Sequence, residues 1–329
     1  MIDLSIDQLV QITGGCLRMA ALPPLGGLCE PVRRITVDSS RVESGDVFWE
    51  LPRHNFECAA GAATHALMRA ALGVVTTVAD LEPFPGAFSL HVADPARALR
   101  NLVRWWRGTY RGRVVELLGG AETDRTAQLI AAALMWEKNQ TTQIIQPGTD
   151  PASVLEALAH DEQADCTIVN QPHSGISAGS ENSILCCPDI VAITCSPIGR
   201  LENAPNLEAV VSSVRHRFDA IADGTVVILD ADDPALCWAS IACPASIYWI
   251  GSNADLELAV RHVATDRGSC EFVVEGCPVR IENRTRVPVN TLMTALAITT
   301  LLGLVPAVAA AALSEQLARV SQPALAVIA

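Results

Sequence analysis

The segment Val114–Thr126, V-V-E-L-L-G-G-A-E-T-D-R-T, has the layout of a phosphate-binding loop. An apolar strand leads into Gly119-Gly120, and the pattern predicts a helix over Thr126–Lys138. Such a loop uses Gly for close backbone approach, Lys to meet the phosphate charge, and Ser or Thr to hold magnesium. Here Glu122 and Asp124 follow the glycines instead. Two carboxylates therefore stand where an anion would have to dock.

Two other polar groups follow predicted strands. Asp230, Asp232 and Asp233 come after the strand Thr225–Leu229. Clustered carboxylates of this kind bind Mg²⁺ in some folds, and they also cap helices, so both interpretations stay open. The run Asp38-Ser39-Ser40-Arg41 follows another strand, and its hydroxyls and guanidinium suit a diphosphate. A turn with a solvated arginine is an equally good interpretation of that run.

The composition indicates a globular protein and excludes several classes. The chain has 329 residues, 50% of them hydrophobic and 18% charged, which allows two domains with sizeable cores. The net charge of -13 and the lack of any Lys/Arg run argue against nucleic-acid binding. The eleven cysteines form no C-x-x-C pair, so we expect free thiols in a reducing cytoplasm, with no metal site.

No targeting or membrane segment is expected. The N-terminus has acidic residues and no basic segment before an apolar run, which is unlike a signal peptide. The apolar stretch Leu292–Leu313 is long enough to span a membrane, but Gly303 and Pro306 divide it. We interpret this stretch as two core helices and expect no stable membrane span.

The order of predicted elements indicates an α/β protein of two domains. Residues 1–90 read as a small α/β domain, and turns at Glu82–Gly86 and Val92–Pro95 mark its end. Residues 91–329 alternate strands and helices, which predicts a mostly parallel sheet with helices on both faces. Ligands bind such sheets outside the carboxyl ends of the strands. This rule places the following segments along one edge: Gly119-Gly120, Asn170, Cys195–Pro197 and Asp230–Asp233.

Five motifs follow one another along the chain. They are I-T-V-D-S-S-R-V-E-S-G-D-V-F-W-E-L (Ile35–Leu51), A-L-R-N-L-V-R-W-W-R (Ala98–Arg107), P-D-I-V-A-I-T (Pro188–Thr194), G-T-V-V-I-L-D-A-D-D-P (Gly224–Pro234) and A-L-A-I-T-T-L-L-G (Ala295–Gly303). In this order they resemble the Mur ligases, the ATP-dependent enzymes that build the peptidoglycan peptide. They are most similar to the branch that adds D-alanyl-D-alanine to UDP-N-acetylmuramoyl-tripeptide. Each motif alone is weak, but five in this order are specific, and the resemblance covers residues 5 to about 320.

The resemblance implies a UDP-substrate domain over residues 1–90 and a P-loop-like, ATP-binding-type central domain over residues 91–329. It implies that Ser39, Ser40 and Arg41 contact the UDP end of the substrate, together with His54 and Asn55, although an ordinary surface loop explains the last two as well. For ATP it implies a degenerate phosphate loop and a base pocket, with these candidate residues: Gly119, Gly120, Arg125, Thr126, Asp230 and Asp232.

The catalytic pattern of the family is not kept. Its Gly-Lys-Thr/Ser falls on Glu122–Asp124, or on Asp124–Thr126 with a shifted gap, which keeps a cation at Arg125 and loses the glycine. The other catalytic positions are replaced too. The magnesium-binding glutamate falls on Asn170, a motif histidine on Arg200, the carbamylated lysine near Val214-Arg215, and a His-Asn pair on Asn290-Thr291. The family's third domain would begin where the chain stops, at Ala329, and we expect it to be absent.

Two functional hypotheses follow. The first is a catalytically inactive, Mur-ligase-like binding or scaffold module in peptidoglycan precursor synthesis, with no confident catalytic residue and no confident cofactor. Its partner would be a UDP-N-acetylmuramoyl-peptide or a cell-wall ligase. The second is a divergent ATP-dependent carbon–nitrogen ligase acting on UDP-N-acetylmuramoyl-tripeptide and D-alanyl-D-alanine, with ATP and Mg²⁺ as cofactors. A gene product without a present role is a third possibility.

Overall fold

The structure is a computed structural model that describes residues 4–51, 59–120, 122–146, 164–172, 187–194, 207–218, 221 and 224–321. The chain divides into two compact units. The first unit extends to Arg111 and the second begins at Gly112. The first unit therefore runs past the boundary near residue 90 that the turn signals suggested.

The first unit is built on a sheet in the order β1-β5-β4-β3-β2. Strands β2 to β5 pair in parallel, and β1 is antiparallel to β5. The strands β1 and β5 are not predicted by the sequence pattern. The strands are β1 (Cys16–Met19), β2 (Arg34–Thr36), β3 (Asp46–Trp49), β4 (Gly73–Thr76) and β5 (Phe88–His91).

Three helices complete the first unit: α1 (Ile6–Thr13), α2 (Ala59–Met68) and α3 (Pro95–Thr109). Helix α1 begins with a capping box between Ser5 and Gln8 and ends at Gly14, whose φ of 66° is left-handed. Helix α3 belongs to this unit because it packs against α1 and because the Trp49 indole donates a buried hydrogen bond to the Pro95 carbonyl. These contacts place α3 before the unit boundary.

The second unit is built on a sheet in the order β14-β13-β12-β11-β10-β9-β6-β8-β7. Seven neighbouring strands pair in parallel: β12, β11, β10, β9, β6, β8 and β7. The strands β12, β13 and β14 pair antiparallel. The strands β7 and β12 are not predicted by the sequence pattern. The strands are β6 (Arg113–Gly119), β7 (Thr142–Ile145), β8 (Cys166–Pro172), β9 (Ile190–Ile193), β10 (Val226–Asp230), β11 (Ser246–Gly251), β12 (Val260–Asp266), β13 (Ser269–Val274) and β14 (Cys277–Glu282).

Helices pack on both faces of this sheet, so the predicted fold class is confirmed. Alternate β6 residues enter different cores: Val115 and Leu117 join one, and Leu118 joins the other. The helices are α4 (Glu122–Lys138), α5 (Leu207–Phe218), α6 (Pro234–Ser240), α7 (Val289–Leu301) and α8 (Pro306–Ser321). The helix predicted over residues 152–160 lies outside the described residues.

The apolar stretch near the C-terminus forms the helices α7 and α8, as expected. They are separated at Gly303, whose φ of 89° is left-handed. Within the described part of the chain, none of the helices is both long and apolar enough to cross a bilayer.

Candidate functional site

The carboxyl ends of four neighbouring parallel strands bring polar residues to one edge of the second sheet. Strand β6 ends at Gly119, β8 carries Asn170 near its end, Thr194 follows β9, and Asp230 ends β10. The strand ends thus lie side by side, as the alternating pattern predicted. Cys195–Pro197, expected at the same edge, lie outside the described residues, as does Arg200.

Gly119 is packed too tightly to carry a side chain. A Cβ there would lie 1.9 Å from the Thr194 Oγ1 and 2.7 Å from the Thr123 Cγ2. Both threonines are buried, and the Thr194 amide donates to the Leu118 carbonyl at 3.0 Å. The glycine is therefore explained by close packing of β6 against β9 and α4, without any bound phosphate.

The first turn of α4 places carboxylates at the glycine turn. Helix α4 begins at Glu122, four residues earlier than predicted, so Glu122 and Asp124 lie in its first turn. A Cβ on Gly120 would lie 3.0 and 3.1 Å from the two Glu122 carboxylate oxygens. The Glu122 carboxylate thus covers the turn. Because a helix N-terminus carries a partial positive charge, this carboxylate occupies a position that favours anions.

The other side chains at this end of α4 satisfy the protein's own backbone. The Thr123 hydroxyl donates to the Gly120 carbonyl at 2.9 Å, and the buried Thr126 hydroxyl donates to the Glu122 carbonyl at 3.0 Å. The structure therefore places both hydroxyls on backbone oxygens. Arg125 is half-buried in the same turn.

Asp124 is held by two amide side chains from neighbouring strand ends. Its Oδ1 accepts a hydrogen bond from the Gln146 Nε2 at 2.7 Å and another from the Asn170 Nδ2. Asn170 is fully buried, and among the described residues its Oδ1 has no hydrogen-bond partner. A carboxylate at position 170, as in the family pattern, would face Asp124. The neutral amide instead pairs with it.

Asp230 links β9, β10 and α7. The Asn290 Nδ2 donates to the Asp230 Oδ2 at 2.7 Å and to the Thr194 carbonyl at 2.9 Å. The Asp232 amide donates to the Asp230 Oδ1 at 2.9 Å. Burial raises the pKa of Asp230 to about 6, and the hydrogen bonds from Asp232 and Asn290 partly oppose that rise. The bridging role of Asn290 is not evident from the sequence pattern.

The three aspartates after β10 have separate local roles. The Asp233 carboxylate caps α6 by accepting from the Ala235 and Leu236 amides, at 2.8 and 3.4 Å. The Asp232 Oδ2 accepts from the Ser252 amide at 2.7 Å. Within the described ranges, no three His, Cys, Asp or Glu residues are placed to hold a metal ion. The geometry favours the capping interpretation of this run.

The two residues aligned near the family's modified lysine also contact only protein. Val214 is buried in the core on one face of the second sheet. The Arg215 guanidinium donates to the Trp238 carbonyl at 3.0 Å. Neither side chain offers the carboxylate that a carbamylated lysine would supply.

The Asp38–Arg41 turn of the first unit forms a short 3-10 helix over Ser39–Arg41 at the carboxyl end of β2. The Asp38 Oδ1 accepts from the Ser40 amide at 2.9 Å and from the Ser40 hydroxyl at 2.6 Å. The turn is therefore fixed by its own aspartate, and the Arg41 side chain is exposed beside it. His54 and Asn55 lie outside the described residues.

Two further polar residues at this edge were not found from the sequence. His65, on α2, has its Nδ1 3.2 Å from the Ser39 Oγ. Glu50, just after β3, is 5% exposed, and its Oε2 accepts from the Thr76 hydroxyl and, at 3.3 Å, from the Thr77 amide. Strand pairing brings Glu50 to Thr76, whereas the sequence places them 26 residues apart.

Comparison with solved structures gives the fold. MurF from Acinetobacter baumannii matches with a TM-score of 0.71 and 17% identity, over 94% of this chain and 68% of that one. The MurF ligase from Thermotoga maritima, solved with ADP, matches at 0.58 and 15% identity, over 83% and 64%. A pseudomurein peptide ligase type C from Methanothermus fervidus matches at 0.51 and 9% identity, over 74% and 56%. No protein-family model and no curated protein matches the chain.

The protein therefore has the Mur-ligase fold, that of the ligases of peptidoglycan precursor synthesis. The MurF structures match it along most of its length, so the resemblance inferred from the sequence is confirmed for the fold. The residues at the phosphate loop do not fit a magnesium nucleotide. Carboxylates cover the glycine turn, both loop hydroxyls bond to the backbone, and an amide takes the place of the magnesium-binding carboxylate.

Proposed function

We propose that this protein is a Mur-ligase-like binding module that recognises a peptidoglycan precursor through its first unit and does not carry out ATP-dependent ligation. The observation that carries the proposal is the first turn of α4. There Glu122 covers Gly120, and Asp124 is tied to Gln146 and Asn170. The carboxylates of Glu122 and Asp124 therefore lie at the position where a phosphate loop would bind phosphate.

The chemistry of ligation explains why these replacements matter. An ATP-dependent ligase forms an acyl phosphate, and the charge on the transferring phosphoryl group is neutralised by Lys and Mg²⁺. Loss of one such electrostatic group lowers the rate by about 10²- to 10³-fold. Here the lysine position and the magnesium-ligand positions are all changed, and the two carboxylates add repulsion. The combined effect places ligation by this chain far below the activity of a working ligase.

The first unit retains groups that suit the other end of such a substrate. Arg41 is an exposed guanidinium on a turn held by Asp38, and the Ser39 hydroxyl lies beside His65. Arg pairs with diphosphate oxygens through two parallel hydrogen bonds. We therefore assign recognition of the UDP part of UDP-N-acetylmuramoyl-peptide to Ser39, Ser40 and Arg41.

Two calorimetric titrations test the proposal. Purified protein is titrated with Mg-ATP and, separately, with UDP-N-acetylmuramoyl-tripeptide. We expect heat of binding from the second ligand and none from the first. Arg33→Ala serves as the matched control for Arg41→Ala, because Arg33 is also exposed, pairs with Glu43 at 3.4 Å, and is not one of the residues of the Asp38–Arg41 turn.

The opposite result has a defined meaning. ATP-dependent release of phosphate in the presence of UDP-N-acetylmuramoyl-tripeptide and D-alanyl-D-alanine would overturn the proposal and establish the divergent ligase. In that case Arg125→Ala would show whether Arg125 replaces the missing lysine. Binding of Mg-ATP alone, without turnover, would contradict the part of the proposal that rests on Glu122 and Asp124.

A further inference from the structure

Four arginines lie along one face of α3. Arg97, Arg100, Arg104 and Arg107 follow one another at spacings of three, four and three residues. At 100° per residue these spacings confine the four side chains to an arc of about 80° over about 15 Å of helix. We call this set the arginine stripe. The α3 helix carries no acidic residue between Pro95 and Thr109.

The opposite face of α3 fixes the helix in the first unit. Its apolar side chains are buried: Pro95, Ala98, Leu99, Leu102, Val103 and Trp106. The Asp94 carboxylate caps the helix by accepting from the Arg97 amide at 2.9 Å, so it serves the backbone. A rigid helix with one buried face therefore presents the arginine stripe on the other.

Three of the four arginine side chains make no ion pair within the described part of the chain. Arg97 and Arg104 are exposed, and Arg100 is half-buried. Among the described residues, none of these three guanidinium groups has an ion-pair partner. Arg107 differs, because it donates to the Tyr110 carbonyl at 3.1 Å and lies 5.8 Å from the centre of the Tyr110 ring. No ion pair among the described residues accounts for the other three.

The stripe contrasts with the charge of the rest of the chain. Residues 1–111 contain eleven arginines and eleven acidic residues, so the whole deficit of -13 falls on residues 112–329. Four of those eleven arginines are on one helix face. The net charge of -13 of the whole chain disfavours a long polyanion such as duplex DNA, or a membrane of anionic lipid. A short acidic segment needs only the four arginines.

We propose that the arginine stripe is a docking surface for an acidic segment of a partner protein, with Glu or Asp side chains at helical spacing. Guanidinium groups pair bidentately with carboxylates, and a row of them over about 15 Å matches about three turns of a helix. The proposal does not depend on how the protein treats ATP or UDP-sugars, because it uses none of the residues assigned to those ligands.

Fluorescence anisotropy tests the surface in the full chain. A fluorescein-labelled, glutamate-rich helical peptide is titrated with wild-type protein at low salt, and the titration is repeated at rising NaCl. We expect binding that weakens with salt. In Arg97→Glu/Arg104→Glu the affinity should fall by about tenfold or more, because two attractive pairs become repulsive.

The matched control is Arg267→Glu/Arg284→Glu, which changes the net charge equally at two exposed arginines of the second unit. We expect its affinity to stay within about twofold of wild type. Circular dichroism and urea denaturation show that each variant is folded. An equal loss in the control, no binding at low salt, or tighter binding of a short DNA duplex or of phosphatidylglycerol vesicles would each overturn the proposal.

Discussion

Each of the two sheets has an edge formed by the carboxyl ends of parallel strands, but the polar side chains at the two edges have different partners. In the second unit, Asp124 pairs with Asn170, and Asp230 pairs with Asn290. In the first unit, Asp38 fixes the turn on which Arg41 is exposed. At the edge of the second sheet these polar side chains bond within the protein, whereas at the edge of the first sheet the Arg41 guanidinium is exposed to solvent.

This difference shows how the polar groups at such an edge find partners within the chain itself. Buried polar groups need partners, because an unsatisfied one costs about 1–3 kcal/mol. At the second edge the chain itself provides most of them, through Gln146, Asn290 and the backbone. These hydrogen bonds need no bound phosphate.

The largest effect is expected from Gly119→Ala. Its Cβ would meet the buried Thr194 and Thr123 side chains, so we expect the free energy of unfolding to fall by about 3 kcal/mol in urea denaturation. Gly120→Ala is the control, since its nearest neighbour is the movable end of Glu122, and it should cost under about 1 kcal/mol. Equal stability of the two variants would show that the edge is not closed as described.

The second effect concerns Asp230 and pH. Burial raises its pKa from 3.8 to about 6, so the folded state favours the protonated carboxyl. The resulting stabilisation is full below about pH 4 and is lost as the pH rises through about 6, a change of about 2 kcal/mol. Urea denaturation between pH 4 and pH 7 should show this loss in wild type and not in Asp230→Asn. Parallel pH profiles for the two proteins would contradict the assignment.

The third effect is on binding at the first edge. Arg41→Ala should lower the affinity for UDP-N-acetylmuramoyl-tripeptide by about tenfold, because it removes the exposed charge that we propose as the partner of the diphosphate. Its stability should be within about 0.5 kcal/mol of wild type. Calorimetry measures the first quantity and urea denaturation the second. Unchanged affinity would move the UDP site away from this turn.

The smallest effect is expected from Ser40→Ala. Its exposed hydroxyl donates to Asp38, but the Ser40 amide keeps the same carboxylate in place. The free energy of unfolding should change by under about 0.5 kcal/mol. Asp38→Ala, which removes the cap itself, should cost about 1 kcal/mol in the same assay. A larger loss for Ser40→Ala than for Asp38→Ala would show that the hydroxyl has another partner.

Strong local patterns were sufficient for much of the fold. The apolar strand before Gly119 and the division of the terminal apolar stretch at Gly303 both predicted elements that the structure contains. The strands β1, β5, β7 and β12 were not predicted. They are short or have several exposed residues, so their apolar pattern is weak and their pairing partners stabilise them.

The sequence by itself determined that the phosphate loop has carboxylates and no lysine, because residue types fix charge whatever the fold. Only the tertiary structure decided what those carboxylates do. Asp124 meets Asn170 across 46 positions of sequence, and Asn290 meets Asp230 across 60, because parallel strands bring their carboxyl ends to one edge. The same packing puts the stripe of α3 on an exposed face, while it buries the opposite face in the first unit.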